Sequence, residues 1–310
     1  MHRRHFLASA TAAVPLLRAQ STAEQLGHAA GAKLLIVHAD DAGMCHSANL
    51  ATQQAMQGGL VSSASIMVPC PWFPEMADWA RQNTQRDLGI HLTLTSEWKF
   101  FRWRPVAPAA QVKGLLDADG FLWRDVRSVA ANASAAEVET ELRAQIARAK
   151  QFGIQFTHLD THMGTLYARP DYFDVYARLA LENKVPCMLP RPTPEAETEL
   201  KAYPITGDMI RSWERKGHVL LDRLVTGVKG RTVEERRVSY GEFLAALQPG
   251  VTKLIIHLAK DDAEIRAVTG NWQTRWADFV FFTSTEAREL MAQHKIQLAT
   301  YRELGRLLKV

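Results

Sequence analysis

Apolar, β-rich runs alternate with helical patterns along most of this chain, and this alternation constrains the fold more than any other feature. The runs lie at residues 34–39, 61–68, 88–94, 154–159, 185–189, 254–258 and 296–299. A strand, a helix and a further strand repeated in this way favour a parallel sheet, either open or closed into a barrel. Six or seven strands in a chain of 310 residues favour an α/β barrel of mostly parallel strands.

The clearest helical pattern is SAAEVETELRAQIARAKQFG, at residues 134–153. Ser134 and Glu137 have the spacing of a capping box, in which each side chain accepts from the other residue's backbone N–H group. Val138, Leu142 and Ile146 recur at helical spacing. Gly153 is typical of the residue that follows a helix. The pattern predicts an amphipathic helix that ends before Gly153.

Residues 191–237 interrupt the alternation, because this stretch is charged and contains prolines at its start. We interpret it as an insertion of two or three helices that covers one end of the barrel. The composition, 47% hydrophobic and 23% charged, is typical of globular proteins. We therefore predict a single domain over residues 31–310.

The first twenty residues, MHRRHFLASATAAVPLLRAQ, have the layout of an export signal. Arg3 and Arg4 precede a short apolar run, as in a twin-arginine signal, and the run is too short to span a bilayer. The alternatives are a retained anchor or an unstructured terminus. We expect export to the periplasm or beyond, with no membrane span after signal removal.

Outside the first twenty residues, the chain carries little net charge. The formal charge is +4, and Arg3, Arg4 and Arg18 supply three of these positive charges, so about +1 remains without the leader. We expect no nucleic-acid partner.

Three widely spaced cysteines, Cys45, Cys70 and Cys187, form no CxxC motif, and at least one thiol stays unpaired.

Polar side chains stand at or near the carboxyl ends of four predicted strands. They are His38, Asp40 and Asp41 near residue 39, His91 within 88–94, His158, Asp160 and His162 around residue 159, and His257 within 254–258. Active sites of parallel α/β folds lie at this edge of the sheet and draw on several strands. A lone strand histidine is usually a core residue, but four strands that deliver such groups to one edge indicate a functional site.

Two imidazoles and a carboxylate with open coordination positions are a ligand set of catalytic metal hydrolases. A second carboxylate beside such a site can accept a proton from water, and a histidine opposite can protonate a leaving amine. An ion would also relieve the repulsion between Asp40 and Asp41. His158 and His162 lie on the same face of a strand, so either could be a ligand.

The motifs LLIVHADDAGMCHSAN, LVSSASIMV, LGIHLTLT, GLLDADGFL, THLDTH and LIIHLA occur in this order between residues 33 and 260. In these motifs the chain resembles the YdjC-like carbohydrate deacetylases, which include chitooligosaccharide deacetylases and are related to polysaccharide deacetylases. The resemblance implies a distorted α/β barrel, one divalent ion such as zinc or magnesium, and removal of an acetyl group from an N-acetylated sugar.

By position, the resemblance implies that Asp41, His91 and His162 bind the metal. It implies that Asp40 is the general base and His257 the general acid. We expect supporting or substrate-contacting roles for a further set of residues, namely His158, Asp160, Asn49, Arg191 and Trp98.

The chain departs from the family pattern at the pocket wall. His38 stands where the family tends to have asparagine, Ala42 where it tends to have an aromatic residue, and MGTLY follows His162 in place of further histidines. His218 is expected on the surface.

Two other functions stay open, a metal-dependent amidase or hydrolase for a non-sugar acyl substrate and an exported glycan-binding protein without catalysis. A homodimer is also left open.

Overall fold

Parallel strands dominate the structure, a computed structural model that describes residues 20–193 and 203–309. Seven strands are found in these ranges, namely β1 (Lys33–Ala42), β2 (Ser63–Ile66), β3 (Leu88–Leu92), β4 (Leu159–Thr161), β5 (Arg223–Val225), β6 (Gly250–His257) and β7 (Ile296–Leu298). The neighbour order is β4-β3-β2-β1-β6-β5, and β7 pairs with the start of β1. β1 is buried almost throughout, as expected for a parallel strand covered on both faces.

Helices occupy most of the connections between these strands, as the alternation predicts. In the described ranges they are α1 (Thr22–Gln25), α2 (His46–Gly58), α3 (Phe73–Gln82), α4 (Val126–Asn132), α5 (Ala135–Gln151), α6 (Pro170–Glu182), α7 (Gly207–Arg215), α8 (Val233–Ala246), α9 (Ala263–Val268), α10 (Trp272–Thr283), α11 (Thr285–Gln293) and α12 (Tyr301–Leu304). Short 3₁₀ segments lie at Ala109–Gln111, Lys113–Leu115, His162–Tyr167 and Gly305–Leu307. The predicted capping box of α5 is confirmed, because Ser134 and Glu137 bond reciprocally.

The sheet curls into a half-barrel, and a bridging segment links its two edges. Cys187 forms an isolated parallel bridge with Leu159 of β4, and Pro190 forms one with Leu221, just before β5. The predicted strand at 185–189 therefore contains one isolated bridge, at Cys187, and no regular strand. The fold is a distorted α/β barrel, which confirms the predicted class.

The interpretation of residues 191–237 as a helical insertion needs correction. The stretch contains α7 and the start of α8, but it also contributes β5, which pairs in parallel with β6. The strand escaped the sequence prediction because Asp222 and Arg223 interrupt its apolar pattern. Residues 194–202 of the predicted insertion lie outside the described residues.

The described part of the chain begins at residue 20, the last residue of the predicted leader. Residues 1–19 lie outside the described part. The backbone N–H of Thr22 donates to both carboxylate oxygens of Asp222, at 3.0 and 2.9 Å, and its hydroxyl donates to Leu220 O at 2.6 Å. These buried bonds attach α1 to the segment before β5. Over the described ranges, we find no helix that combines the length and the apolar character needed to cross a bilayer.

Candidate active site

The carboxyl end of β1 brings Asp40 and Asp41 to the edge of the sheet where the neighbouring strands also end. Asp40 is the register partner of His257 on β6, so these two residues lie side by side. The pairing of β1 with β2 is irregular between Ala39 and Ala42. Within this irregularity Asp41 has φ 66°, a left-handed conformation that is costly for a non-glycine residue and is often found at functional sites.

Three of the predicted residues form a tight cluster. Asp41 Oδ1 lies 3.4 Å from His91 Nε2 and 3.2 Å from His162 Nδ1. All three side chains are buried, and their candidate ligand atoms lie within 4.8 Å of one another. Asp41 Oδ1 is buried and has no hydrogen-bond partner among the described residues. An unsatisfied carboxylate oxygen between two imidazole nitrogens fits the requirements of a divalent cation.

Each member of this cluster has a partner on its outer side. Arg275 Nη2 donates to Asp41 Oδ2 at 2.5 Å. Ser65 Oγ lies 2.9 Å from His91 Nδ1, and Glu97 Oε2 lies 3.1 Å from His162 Nε2. Such partners fix the orientation and tautomer of metal-binding side chains.

Ser65, Glu97 and Arg275 are not among the site residues predicted from the sequence. Ser65 lies on β2, Glu97 in the loop after β3, and Arg275 on α10. In the sequence, Ser65 lies within the motif LVSSASIMV and Glu97 lies just after LGIHLTLT, and these positions were the only indication of their involvement. Arg275 is separated from Asp41 by 234 positions, and no local pattern points to it.

The charges of the cluster compensate one another. Burial alone would raise the pKa of Asp41, but Arg275 and the two histidines hold it well below its usual range. Burial lowers the pKa of His162, whereas Glu97 and Asp41 raise it more strongly, to about 10. In the absence of an ion, a proton on His162 therefore supplies positive charge that a bound cation would replace.

Asp40 belongs to a second buried group behind the cluster. His38 Nε2 lies 3.1 Å from Asp40 Oδ1 and 3.0 Å from Asp160 Oδ2, and Lys253 Nζ donates to Asp160 Oδ2 at 2.6 Å. Burial raises the pKa of Asp40, but the nearby His91 ring and, more weakly, Lys253 leave it below the ordinary value. Asp40 is therefore an ionised acceptor at neutral pH.

The same group of residues also offers three ligand atoms, from His38, Asp40 and Asp160. The Lys253 ammonium already lies against Asp160, so this second group carries its own cation. A second ion there would face direct repulsion from Lys253.

His257 completes the set on the other side of Asp41. Its Nε2 atom lies 3.9 Å from Asp41 Oδ2, and 39% of its side chain is exposed. Its backbone N–H donates to Asp278 Oδ2 at 3.2 Å. The His257 ring is reached from the cavity but lies deep between its walls, and this burial lowers the pKa of the ring. Asp41 raises the pKa and Arg275 lowers it, and the net shift is downward.

A cavity of about 720 Å³ opens above these residues. The polar groups lie together, and the remaining wall is rich in apolar and aromatic side chains, including Trp98, Met163, Tyr167, Met188, Tyr203, Leu224 and Ile255. Trp98 thus lines the cavity, as expected for a substrate-contacting residue, while the neighbouring Trp103 is buried. A volume of this size is typical of small-molecule sites.

Four of the predicted supporting residues do not line this cavity, and one of them is Asp160 of the second buried group. Arg191 contacts Asp222 and Glu214. Asn49 accepts a hydrogen bond from Gly43 N at 2.6 Å and so braces the turn after Asp41. His158 stacks on Tyr301 with ring centroids 4.1 Å apart.

The three cysteines, Cys45, Cys70 and Cys187, are all buried and form no disulfide in the structure. His218, expected on the surface, is also buried, and its Nε2 atom lies 2.9 Å from Ala177 O. The lysine and glycine beside His218 in the sequence suggest a surface turn, but tertiary packing covers the ring.

Comparison with known proteins gives matches over most of the chain. A family model described as YdjC-like protein matches residues 34–293. A carbohydrate deacetylase of Thermus thermophilus is 34% identical over 287 residues, which cover 90% of this chain and 97% of that protein. A chitooligosaccharide deacetylase of Yersinia pestis is 28% identical over 275 residues, with 87% and 98% covered.

A solved structure shows the same fold. A protein of Enterococcus faecalis, described as a candidate cellobiose-phosphate cleavage protein, has a TM-score of 0.74 and 23% identity to this chain. The match covers 88% of this chain and 99% of that chain. These matches confirm the resemblance that the motifs indicated.

Proposed function

This chain belongs to the YdjC-like protein family, and we propose that it is a metal-dependent carbohydrate deacetylase that hydrolyses the acetamido group of an N-acetylated sugar. The names of its relatives support deacetylation of a carbohydrate. The observation that carries the metal dependence is the buried, unpartnered Asp41 Oδ1 between two imidazole nitrogens. The two proposals have separate tests, as described below.

Asp41, His91 and His162 would hold one divalent ion, zinc or magnesium. When bound, such an ion lowers the pKa of water and polarises an amide carbonyl. Arg275, Ser65 and Glu97 keep the three ligand side chains in place. The shared burial of the cluster excludes bulk water, so these contacts act in a low dielectric.

Asp40 is the residue that takes the proton of the attacking water in this proposal. Its pKa is lowered, so it is a carboxylate at neutral pH, and it lines the cavity. Its Oδ1 atom is turned toward His38 at 3.1 Å, while Oδ2 faces His91 Nε2 at 3.8 Å. The side chain is thus fixed beside the candidate ligands, as a general base requires.

His257 is the proton donor to the sugar nitrogen in this proposal. The lowered pKa makes the ring neutral in the resting site, so it has to gain a proton before it can give one up. Asp40, its register partner on the neighbouring strand, is the group that gains a proton from water. Asp40 passes this proton to His257, and His257 donates it to the sugar nitrogen as the C–N bond breaks. The water oxygen ends on the acetyl carbon, so the products are acetic acid and the sugar amine.

The first test is acetate release from a panel of N-acetylglucosamine oligomers, with and without a chelator. We expect acetate that disappears with chelator and returns when zinc or magnesium is added. His162→Ala should lose both metal binding and turnover. Metal-loaded protein that binds these glycans without releasing acetate would refute deacetylation, and acetate release that survives complete metal removal would refute the metal dependence.

We further propose that residues 1–20 direct export through a twin-arginine signal. The support is the Arg3–Arg4 pair followed by a short apolar run. Replacement of both arginines by lysine should retain the protein in the cytoplasm, as measured by cell fractionation. Unchanged fractionation of this variant would contradict the proposal.

A further inference from the structure

Glu97 has a position in the site that the sequence motifs did not suggest. We propose that Glu97 is a positioning residue that fixes the ring of His162 with Nε2 as the protonated nitrogen, so that Nδ1 faces Asp41 as a metal ligand. This inference rests on the metal site of the proposed function. It assigns to Glu97 a role in metal affinity, and no direct contact with the reacting atoms.

The geometry gives each nitrogen of His162 its own carboxylate. Glu97 Oε2 lies 3.1 Å from Nε2, and Asp41 Oδ1 lies 3.2 Å from Nδ1. A neutral imidazole carries one proton, so one nitrogen donates and the other offers a lone pair. A carboxylate can only accept, so Glu97 holds a proton on Nε2, and a cation that displaces the proton between Nδ1 and Asp41 would meet the Nδ1 lone pair.

The backbone is irregular directly after His162. Met163 and Gly164, which follow directly, both have positive φ angles of 53° and 64°. The ring meets His91 edge-on at a centroid distance of 5.2 Å. Among the described residues, Glu97 is the hydrogen-bonding partner of Nε2, so its loss would leave the contacts with Asp41 and His91 to orient the ring.

Hydrogen bonds of the preceding residue fix the backbone next to Glu97. The preceding residue, Ser96, donates its backbone N–H to Trp123 O at 2.7 Å, and its hydroxyl accepts from Trp103 N at 3.0 Å. Arg102 Nε also donates to Ser96 Oγ at 3.2 Å. The loop after β3 thus sets the distance between Glu97 and His162.

Charge distinguishes Glu97 from the partner of the other histidine. His91 faces the neutral hydroxyl of Ser65, whereas His162 faces a carboxylate. Arg275 offsets the charge of Asp41, so the charge of Glu97 adds to the attraction for a cation. A carboxylate bonded to a ligand histidine also raises the basicity of the ring.

Calorimetric titration of the metal-free full-length protein with Zn²⁺ tests this role. Glu97→Ala should weaken zinc binding by about 10- to 100-fold, the usual effect of removing such a partner. Glu97→Gln retains an oxygen acceptor for Nε2–H but loses the charge, so its affinity should lie between wild type and Glu97→Ala. Glu182→Ala, which removes a carboxylate from the α6 surface, should bind zinc like wild type.

A spectroscopic and a kinetic readout separate positioning from other roles. In ¹⁵N-labelled protein, zinc should shift the Nδ1 resonance of His162 in wild type, and zinc-loaded Glu97→Ala should show an altered Nε2 resonance because the carboxylate acceptor of the Nε2 proton is gone. With saturating metal, the KM of Glu97→Ala should stay near wild type. A raised KM with unchanged zinc affinity would show that Glu97 is a substrate contact and would overturn the inference.

The remaining outcomes distinguish this inference from the proposed function. Equal zinc affinity of wild type and Glu97→Ala refutes the role of Glu97 only. Wild-type protein that binds zinc but releases no acetate refutes the proposed reaction, and the calorimetry still decides the role of Glu97. Wild-type protein that binds neither zinc nor magnesium refutes the metal site and this inference together.

Discussion

Lys253 offers a direct test of the buried charge network behind the site. Its ammonium lies 2.6 Å from Asp160 Oδ2, and the two side chains are 0% and 1% exposed. The replacement Lys253→Met keeps the length of the side chain and removes its charge. Asp160 is then left buried without its principal counterion.

The structure sets the expected magnitude. Breaking a buried ion pair by removing one partner costs about 3–5 kcal/mol, because the other charge stays desolvated. Asp160 keeps the Thr161 N–H at 2.8 Å and His38 Nε2 at 3.0 Å, which places the cost toward the lower end. Methionine fills a similar volume, so a cavity contributes little. We expect a loss of about 3 kcal/mol in the free energy of unfolding.

Denaturant unfolding at pH 7, followed by circular dichroism, measures this loss. Adding Asp160→Asn to Lys253→Met removes the stranded charge and should recover part of the stability, a coupling that a double-mutant cycle quantifies. Lys150→Met is the matched control, because Lys150 is exposed and bonds Asn183, and it should change stability by less than about 0.5 kcal/mol. A cost below about 1 kcal/mol for Lys253→Met would refute the reasoning.

Three further predictions follow from other parts of the structure. Asp40→Asn should bind zinc in calorimetry but lose at least about 100-fold in kcat, the contribution of a general base; wild-type turnover would contradict its role. Gly89→Ala should destabilise by about 1–3 kcal/mol, because an added Cβ would clash with the His158 ring. The control Gly241→Ala, in a helix with open space around it, should be neutral or stabilising in thermal unfolding. Burial lowers the pKa of His218 to about 4, so its neutral form stabilises the fold above about pH 6.5 and this contribution is lost as the pH falls toward 4. Between pH 7 and 5 wild type should lose about 2 kcal/mol more than His218→Gln in denaturant unfolding, and parallel losses would contradict the assignment.

The sequence by itself determined the fold class and the central residues of the candidate site. Apolar runs and helix caps depend on residues close in sequence, so β1, β6 and α5 could be predicted from local sequence patterns. Parallel strands share one carboxyl edge, and this rule predicted that Asp40, Asp41 and His257 would converge. The motifs added His91 and His162, which the structure places beside Asp41.

Only the tertiary structure decided which groups surround those residues. Glu97 and Arg275 come from a loop and a helix, and their meeting with His162 and Asp41 depends on how the chain packs across long sequence separations. The strand β5 was also decided by tertiary structure. Its charged Arg223 is not typical of a buried strand, and backbone pairing with β6 forms it. Hydrogen bonds between distant segments leave no periodic signal in the sequence. The candidate ligands could therefore be predicted from motifs, while the side chains bonded to them could not.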